Sequence, residues 1–317
     1  MAAFDRPCAT IDRRTWIGVA LATFGLSGRA RGEDAGGPAA VEARAREAKL
    51  GPFRSSSSKT FVALGDGPDA FRAKALELCE ALAASYRDHF DSRGFGVQLP
   101  KEPLTIVTLA NAKSYAAFVG EDRGPVIGGH YDLDANWLVM FDFRGDGRDR
   151  SDLPGNPEAL NSLTLVHEAM HLLTYNTGLL DRRGNVPAAI SEGLAIYAEP
   201  WRPTSNARNK LGSPNPSRLY ALDLARKQGT PWIPVERLLL DDTIFLDKAQ
   251  QQLAYVESWL LVQTHLGSTT RRARFRDYLD AIRPRRDPLA RRDDAAAQLG
   301  DLDTLDRDLR KAARWPG

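Results

Sequence analysis

The sequence predicts an α+β fold: a small N-terminal sheet with its helices, followed by a helical C-terminal part. Two patterns carry this. The segments that read as strands all lie before residue 143, whereas the patterned segments after residue 156 repeat at helical spacing. Strands and helices that segregate along a chain, rather than alternate, mark an α+β arrangement. The composition, 43% hydrophobic and 26% charged over 317 residues, is that of a folded domain and excludes collagen-like, disordered and multi-span membrane classes.

The first 30 residues read as an address. Arg13-Arg14 precede a modest apolar run, Trp16 to Leu26, and Gly28 and Ala30 stand at the −3 and −1 positions of a cleavage site. The run is shorter than the ~20 apolar residues of a membrane span. The paired arginines resemble a twin-arginine signal, which implies a protein exported already folded, periplasmic or secreted, with no stable span in its mature form. Residues 31–51 read as a linker with one helical turn, and residues 52–317 as a single domain. Without residues 1–30 the net charge of +2 becomes zero, and no clustered basic excess remains that would suit a nucleic-acid partner.

Thr60–Leu64 reads as a strand closed by Gly65-Asp66-Gly67-Pro68. Phe71, Ala75, Leu78, Leu82 and Tyr86 recur at helical spacing, so a helix runs from Asp69 to about Phe90. Cys79 lies within it as a small buried apolar residue. Leu104–Leu109 is a second strand, Ala112–Val119 a short helix stopped by Gly120, and Asn136–Asp142 a third strand. Arg144–Pro154 is a charged loop whose acidic spacing fails that of a calcium loop at its third and twelfth positions. Helices follow over 157–176, 187–199, 217–227, 249–266, 270–282 and 301–314.

The segment Leu165-Val166-His167-Glu168-Ala169-Met170-His171-Leu172 carries the chemistry. Asn156 and Pro157 start its helix and Gly178 follows its end. His167 and His171 are one turn apart, so both imidazoles project from one face and can bind a single ion. Glu168, turned by about 100°, stands beside the metal, placed to accept a proton from a water. A catalytic zinc site takes a third protein ligand and keeps a position open. Glu192 is the candidate, on a second helix begun by Pro187 and joined to the first by a short loop, so the two helices pack as neighbours. Two His and one Glu form a catalytic rather than a structural zinc set. Without a metal, the histidines would be core residues and Glu192 a helix cap.

His167-Glu168-Ala169-Met170-His171 followed by Ser191-Glu192-Gly193-Leu194-Ala195-Ile196-Tyr197 resembles the gluzincin branch of the zinc metallopeptidases (peptidase clan MA). It is most similar to an uncharacterised bacterial family of secreted peptidases with HEAxH and EGLAxY motifs. The resemblance covers about residues 100–317 and includes the late helix around Tyr255-Val256-Glu257-Ser258-Trp259. It implies a zincin-like fold, a Zn2+ cofactor, and hydrolysis of a peptide or protein substrate with Glu168 as general base. It also implies Tyr255 as the donor to the oxyanion, with core packing beside Trp259 and Val262 as the competing reading. His130 and His265 are further candidate donors, and Trp137–Phe141 is the expected edge strand that pairs with substrate.

Two departures from the gluzincin pattern stand out. Where thermolysin-like enzymes carry an acid four residues after the glutamate ligand, this chain has Ile196; Glu199 is the nearest substitute. The Gly-x-Met-Glu-Asn signature of gluzincin aminopeptidases is absent upstream. A zinc amidase acting on a non-protein amide such as peptidoglycan, or a peptidase-like binding protein without turnover, are the alternatives. An intact Glu168 argues against the second of these.

Overall fold

The computed structural model describes residues 36–120, 128–145, 156–203 and 210–316. The signal expected over residues 1–30, and all of the charged loop after Gly145, lie outside these residues. Five strands make one sheet in the order β1-β2-β3-β5-β4, where β1 is Arg54–Ser57, β2 Phe61–Gly65, β3 Leu104–Leu109, β4 Gly129–Asp132 and β5 Trp137–Phe141. Strands β2, β3 and β5 run parallel, and β1 and β4 pair antiparallel at the two edges. Helix α2 (Asp69–Asp91) makes the crossover that a parallel β2–β3 pair requires.

Successive strand residues point to opposite faces. Ala63, Ile106, Leu138 and Met140 therefore join the core that includes α2 and α4 (Pro157–Asn176). Leu64, Val107, Val139 and Phe141 join a second core with α1 (Pro38–Glu47) and α3 (Ala112–Val119). With both faces covered, all six residues of β3 are buried, which is why its sequence lacks polar alternation.

The structure corrects two expectations. The segment read as a linker holds α1, a ten-residue helix whose Val41 and Ala45 are buried on the sheet. Its apolar stripe is one i, i+4 pair, too short to stand out without the sheet beneath it. Trp137–Phe141 is not an edge strand, because β5 is paired on both sides. The edge beside α4 is β4, four residues of mixed polarity that carry no strand pattern of their own. Helices α5 (Ala188–Ala198), α6 (Pro216–Lys227), α8 (Gln251–Gly267), α9 (Thr269–Ile282) and α11 (Leu302–Ala312) fall within two residues of expectation. Helices α7 (Val235–Leu240) and α10 (Arg291–Leu299) and strand β1 were not legible in the sequence. Among the described residues no helix is long and apolar enough to cross a membrane.

Candidate metal centre

Helix α4 starts where the Asn156 side chain accepts a hydrogen bond from the Glu158 N–H at 2.9 Å, with Pro157 in the first turn. It ends at Thr177, followed by Gly178 in the left-handed region (φ 84°). Lodged between the sheet and α5, it buries His167, Glu168 and His171, each 3% exposed or less. All eleven residues of α5 are buried too, and all but Ser191 and Glu192 are apolar or glycine. Its start is pinned by Asp242, which accepts from the Ala188 N–H and from Arg291, both at 2.8 Å. Gly193 brings α5 hard against α8: a Cβ there would lie 2.4 Å from the Ser258 carbonyl oxygen. These contacts set Glu192 opposite the histidine pair.

The Glu192 carboxylate lies 3.3 Å from His167 Nε2 through Oε2 and 3.6 Å from His171 Nε2 through Oε1. One ligand atom from each of the three residues falls within 4.8 Å of the others. His167 Nε2, His171 Nε2, Glu192 Oε2 and Glu168 Oε2 are buried without a hydrogen-bond partner. Each such group left unsatisfied costs about 1–3 kcal/mol, so their gathering at one place needs a reason. An ion there would satisfy the two ring nitrogens and the Glu192 oxygen together. His167, His171 and Glu192 can hold a metal ion.

The far side of each imidazole is also arranged. His171 Nδ1 meets Ser191 Oγ at 3.0 Å, and His167 Nδ1 meets Glu199 Oε1 at 3.1 Å. When Nδ1 donates, Nε2 presents its lone pair to the shared point, as in other carboxylate-oriented metal sites. Glu199 in turn accepts from Asn215 Nδ2 at 2.8 Å, from Arg218 Nε at 3.0 Å and from a second Arg218 guanidinium nitrogen. A carboxylate seven residues after Glu192 thus occupies the role vacant at Ile196.

Residues 161–290 match the model of a family described as a protein of unknown function (DUF1570). That span begins six residues before His167 and includes His171, Glu192, Glu199, Arg218 and Tyr255. No curated protein matches the chain.

Burial alone would keep His167 neutral, but the neighbouring carboxylates of Glu192 and Glu199 outweigh it and push its pKa up to about 10. For Glu192 the two histidines overcome the same burial and hold its pKa down at about 2. Glu199 is likewise held at about 2 against burial, chiefly by Arg218. Glu168 goes the other way: burial raises it, and the histidines only partly offset that. A carboxylate with a raised pKa is a better proton acceptor. The backbone of Tyr131, on β4, hydrogen-bonds Glu168. The Tyr131 ring stacks between those of His171 and Tyr175, at centroid distances of 6.4 and 5.7 Å.

Tyr255 on α8 is 2% exposed, with its ring edge-on to Phe245 at 5.2 Å. Burial, and then the charge of Glu192, raise its pKa well above the usual phenol value, so it keeps its proton. The charges of Glu192, Arg218 and Glu168 all act on the Tyr255 hydroxyl. His130 and His265 are not brought to the site. His130 sits on the opposite sheet face, its Nδ1 2.6 Å from the Tyr115 hydroxyl, and His265 donates to the Leu261 carbonyl one turn back at 2.8 Å. Arg218, Asn215 and Tyr131 escaped the sequence reading. Asn215-Pro216 does mark a helix start, but nothing local ties that helix to the histidines.

Proposed function

We propose that this chain is an exported zinc metallopeptidase of gluzincin type that hydrolyses peptide bonds in peptide or protein substrates. The observation that carries the reading is the set of orphaned buried atoms on His167, His171 and Glu192, with Glu168 beside them. Two imidazoles and one carboxylate suit zinc, and that set leaves a coordination position open. Bound zinc would supply Lewis-acid activation of the attacking water and the scissile carbonyl. Glu168 accepts the proton of the attacking water and returns it to the leaving amine. Tyr255, protonated and buried, donates a hydrogen bond to the oxyanion as it forms. Among the described residues no strand pairs with the outer edge of β4, where backbone groups can meet an extended substrate. The twin-arginine-like signal supports export of the folded protein to the periplasm or beyond.

Zinc content of the purified mature protein, measured beside Glu192→Ala and Glu168→Gln, tests this. About one zinc per chain is expected, strongly weakened in Glu192→Ala. Glu168→Gln is expected to keep zinc and lose turnover by about 10²–10⁴-fold. A folded wild-type protein that refuses added zinc would end the reading. A Glu168→Gln variant that matches wild type in every function would favour a binding protein instead.

A further inference from the structure

Glu199 is held more firmly than any fold requirement visible around it explains. Its Oε1 meets His167 Nδ1 and a guanidinium nitrogen of Arg218, and its Oε2 meets Arg218 Nε and Asn215 Nδ2. Asn215 also caps α6, its Oδ1 accepting from the Arg218 N–H at 3.3 Å. The two ends of one amide therefore bind the helix start and the carboxylate together, and the first turn of α6 is built onto Glu199. All three residues are buried, at 4%, 3% and 7% exposure for Glu199, Asn215 and Arg218.

We propose that Arg218 and Asn215 are positioning residues of the metal centre: acting through Glu199, they fix the His167 imidazole in the orientation and tautomer that coordination needs. This rests on the reading of His167, His171 and Glu192 as a zinc site. Two physical arguments carry it. A glutamate side chain has three rotatable bonds, and one hydrogen bond to a histidine does not immobilise it; a bidentate guanidinium and an amide do. The second argument is charge. Glu168, Glu192 and Glu199 bring three carboxylates into one buried pocket, and a divalent ion leaves one negative charge over. Arg218 balances it, and its charge also acts on Glu192 and on Tyr255. With that charge in place Glu199 stays on the far side of His167 and does not compete for the metal.

A double-mutant cycle on zinc affinity tests the proposal, read by competition with a chromophoric chelator for wild type, Glu199→Gln, Arg218→Met and the double variant. The visible absorption of the Co2+ form of each is recorded as well. Each single variant is expected to weaken zinc about 10- to 100-fold, the range found for lost outer partners of metal ligands. The double variant should be no worse than the poorer single, because Arg218 acts only through Glu199. The Co2+ bands should shift, and Arg218→Lys, which keeps the charge but loses the two-pronged grip on Glu199, should recover only part of the loss. Additive losses, or a folded Arg218→Met with wild-type affinity and unchanged bands, would overturn the proposal. If Arg218→Met does not fold, since it leaves Glu199 buried and unpaired, the double variant is compared with Glu199→Gln alone: equal affinity upholds it, a further loss overturns it. Wild type that binds no zinc would sink this proposal and the metallopeptidase reading together, whereas additive losses in a zinc-binding protein would sink the proposal alone.

Discussion

At the scale of single residues, proton and metal compete for His167. Glu192 and Glu199 push its pKa up to about 10, which favours the ring protonated on both nitrogens at pH 7. Coordination requires Nε2 bare, so zinc uptake must expel a proton, and affinity must fall as pH falls. Calorimetric titration with zinc at pH 7, in two buffers of different ionisation enthalpy, should report about one proton released per ion. Release near zero would mean that His167 is already neutral and that the carboxylates do not govern it. The ligand pair itself was legible at this scale, because one helical turn fixes the spacing of His167 and His171 whatever surrounds them. Behind the rings, Glu199 was legible as the nearest substitute for an orienting acid, whereas Ser191 was not. Ser191 and Glu199 reach the histidines only because α5 packs on α4.

At the scale of elements, the placement of Glu192 depends on how closely α5 approaches α8. A methyl group at position 193 would lie 2.4 Å from the Ser258 carbonyl oxygen and 2.7 Å from a Val262 methyl. The first is backbone inside a helix and cannot move aside cheaply. Gly193→Ala should therefore cost about 1–3 kcal/mol of stability in urea denaturation and weaken zinc as well, since the shift falls next to Glu192. Unchanged stability with unchanged zinc affinity would show that the two helices have room to spare. Six of the helices of the C-terminal part, α4, α5, α6, α8, α9 and α11, were legible because caps and apolar stripes are local signals: Asn156 with Pro157 starts α4 and Gly178 follows its end. Strand β4 was not legible. Gly129-His130-Tyr131-Asp132 is too short and mixed to read as a strand, and becomes one by pairing with β5. The expectation that Trp137–Phe141 forms the edge failed for that reason.

At the scale of the whole molecule, a metal bound at the join between sheet and helical part should act as a staple. The centre links α4 to α5, and through Glu199 to α6. An ion that binds only the folded state, present at about 1,000 times its dissociation constant, stabilises by about 4 kcal/mol. For a domain of this size that is a rise in melting temperature of roughly 7 °C. Thermal denaturation with zinc and with a strong chelator should show that difference in wild type and little of it in Glu192→Ala. Equal melting temperatures with and without chelator, in a protein that carries zinc, would place the ion away from the folding unit.

The sequence by itself determined the α+β order, the helix that carries His167, Glu168 and His171, and the candidacy of Glu192, because helix periodicity, capping and ligand spacing are short-range properties of the chain. Only the tertiary structure decided which strand forms the edge, that residues 38–47 are helix, and that Glu199, Asn215 and Arg218 stand behind His167. Those depend on pairing and burial between segments far apart in sequence, where the free energy comes from the partner and leaves no pattern in the segment alone.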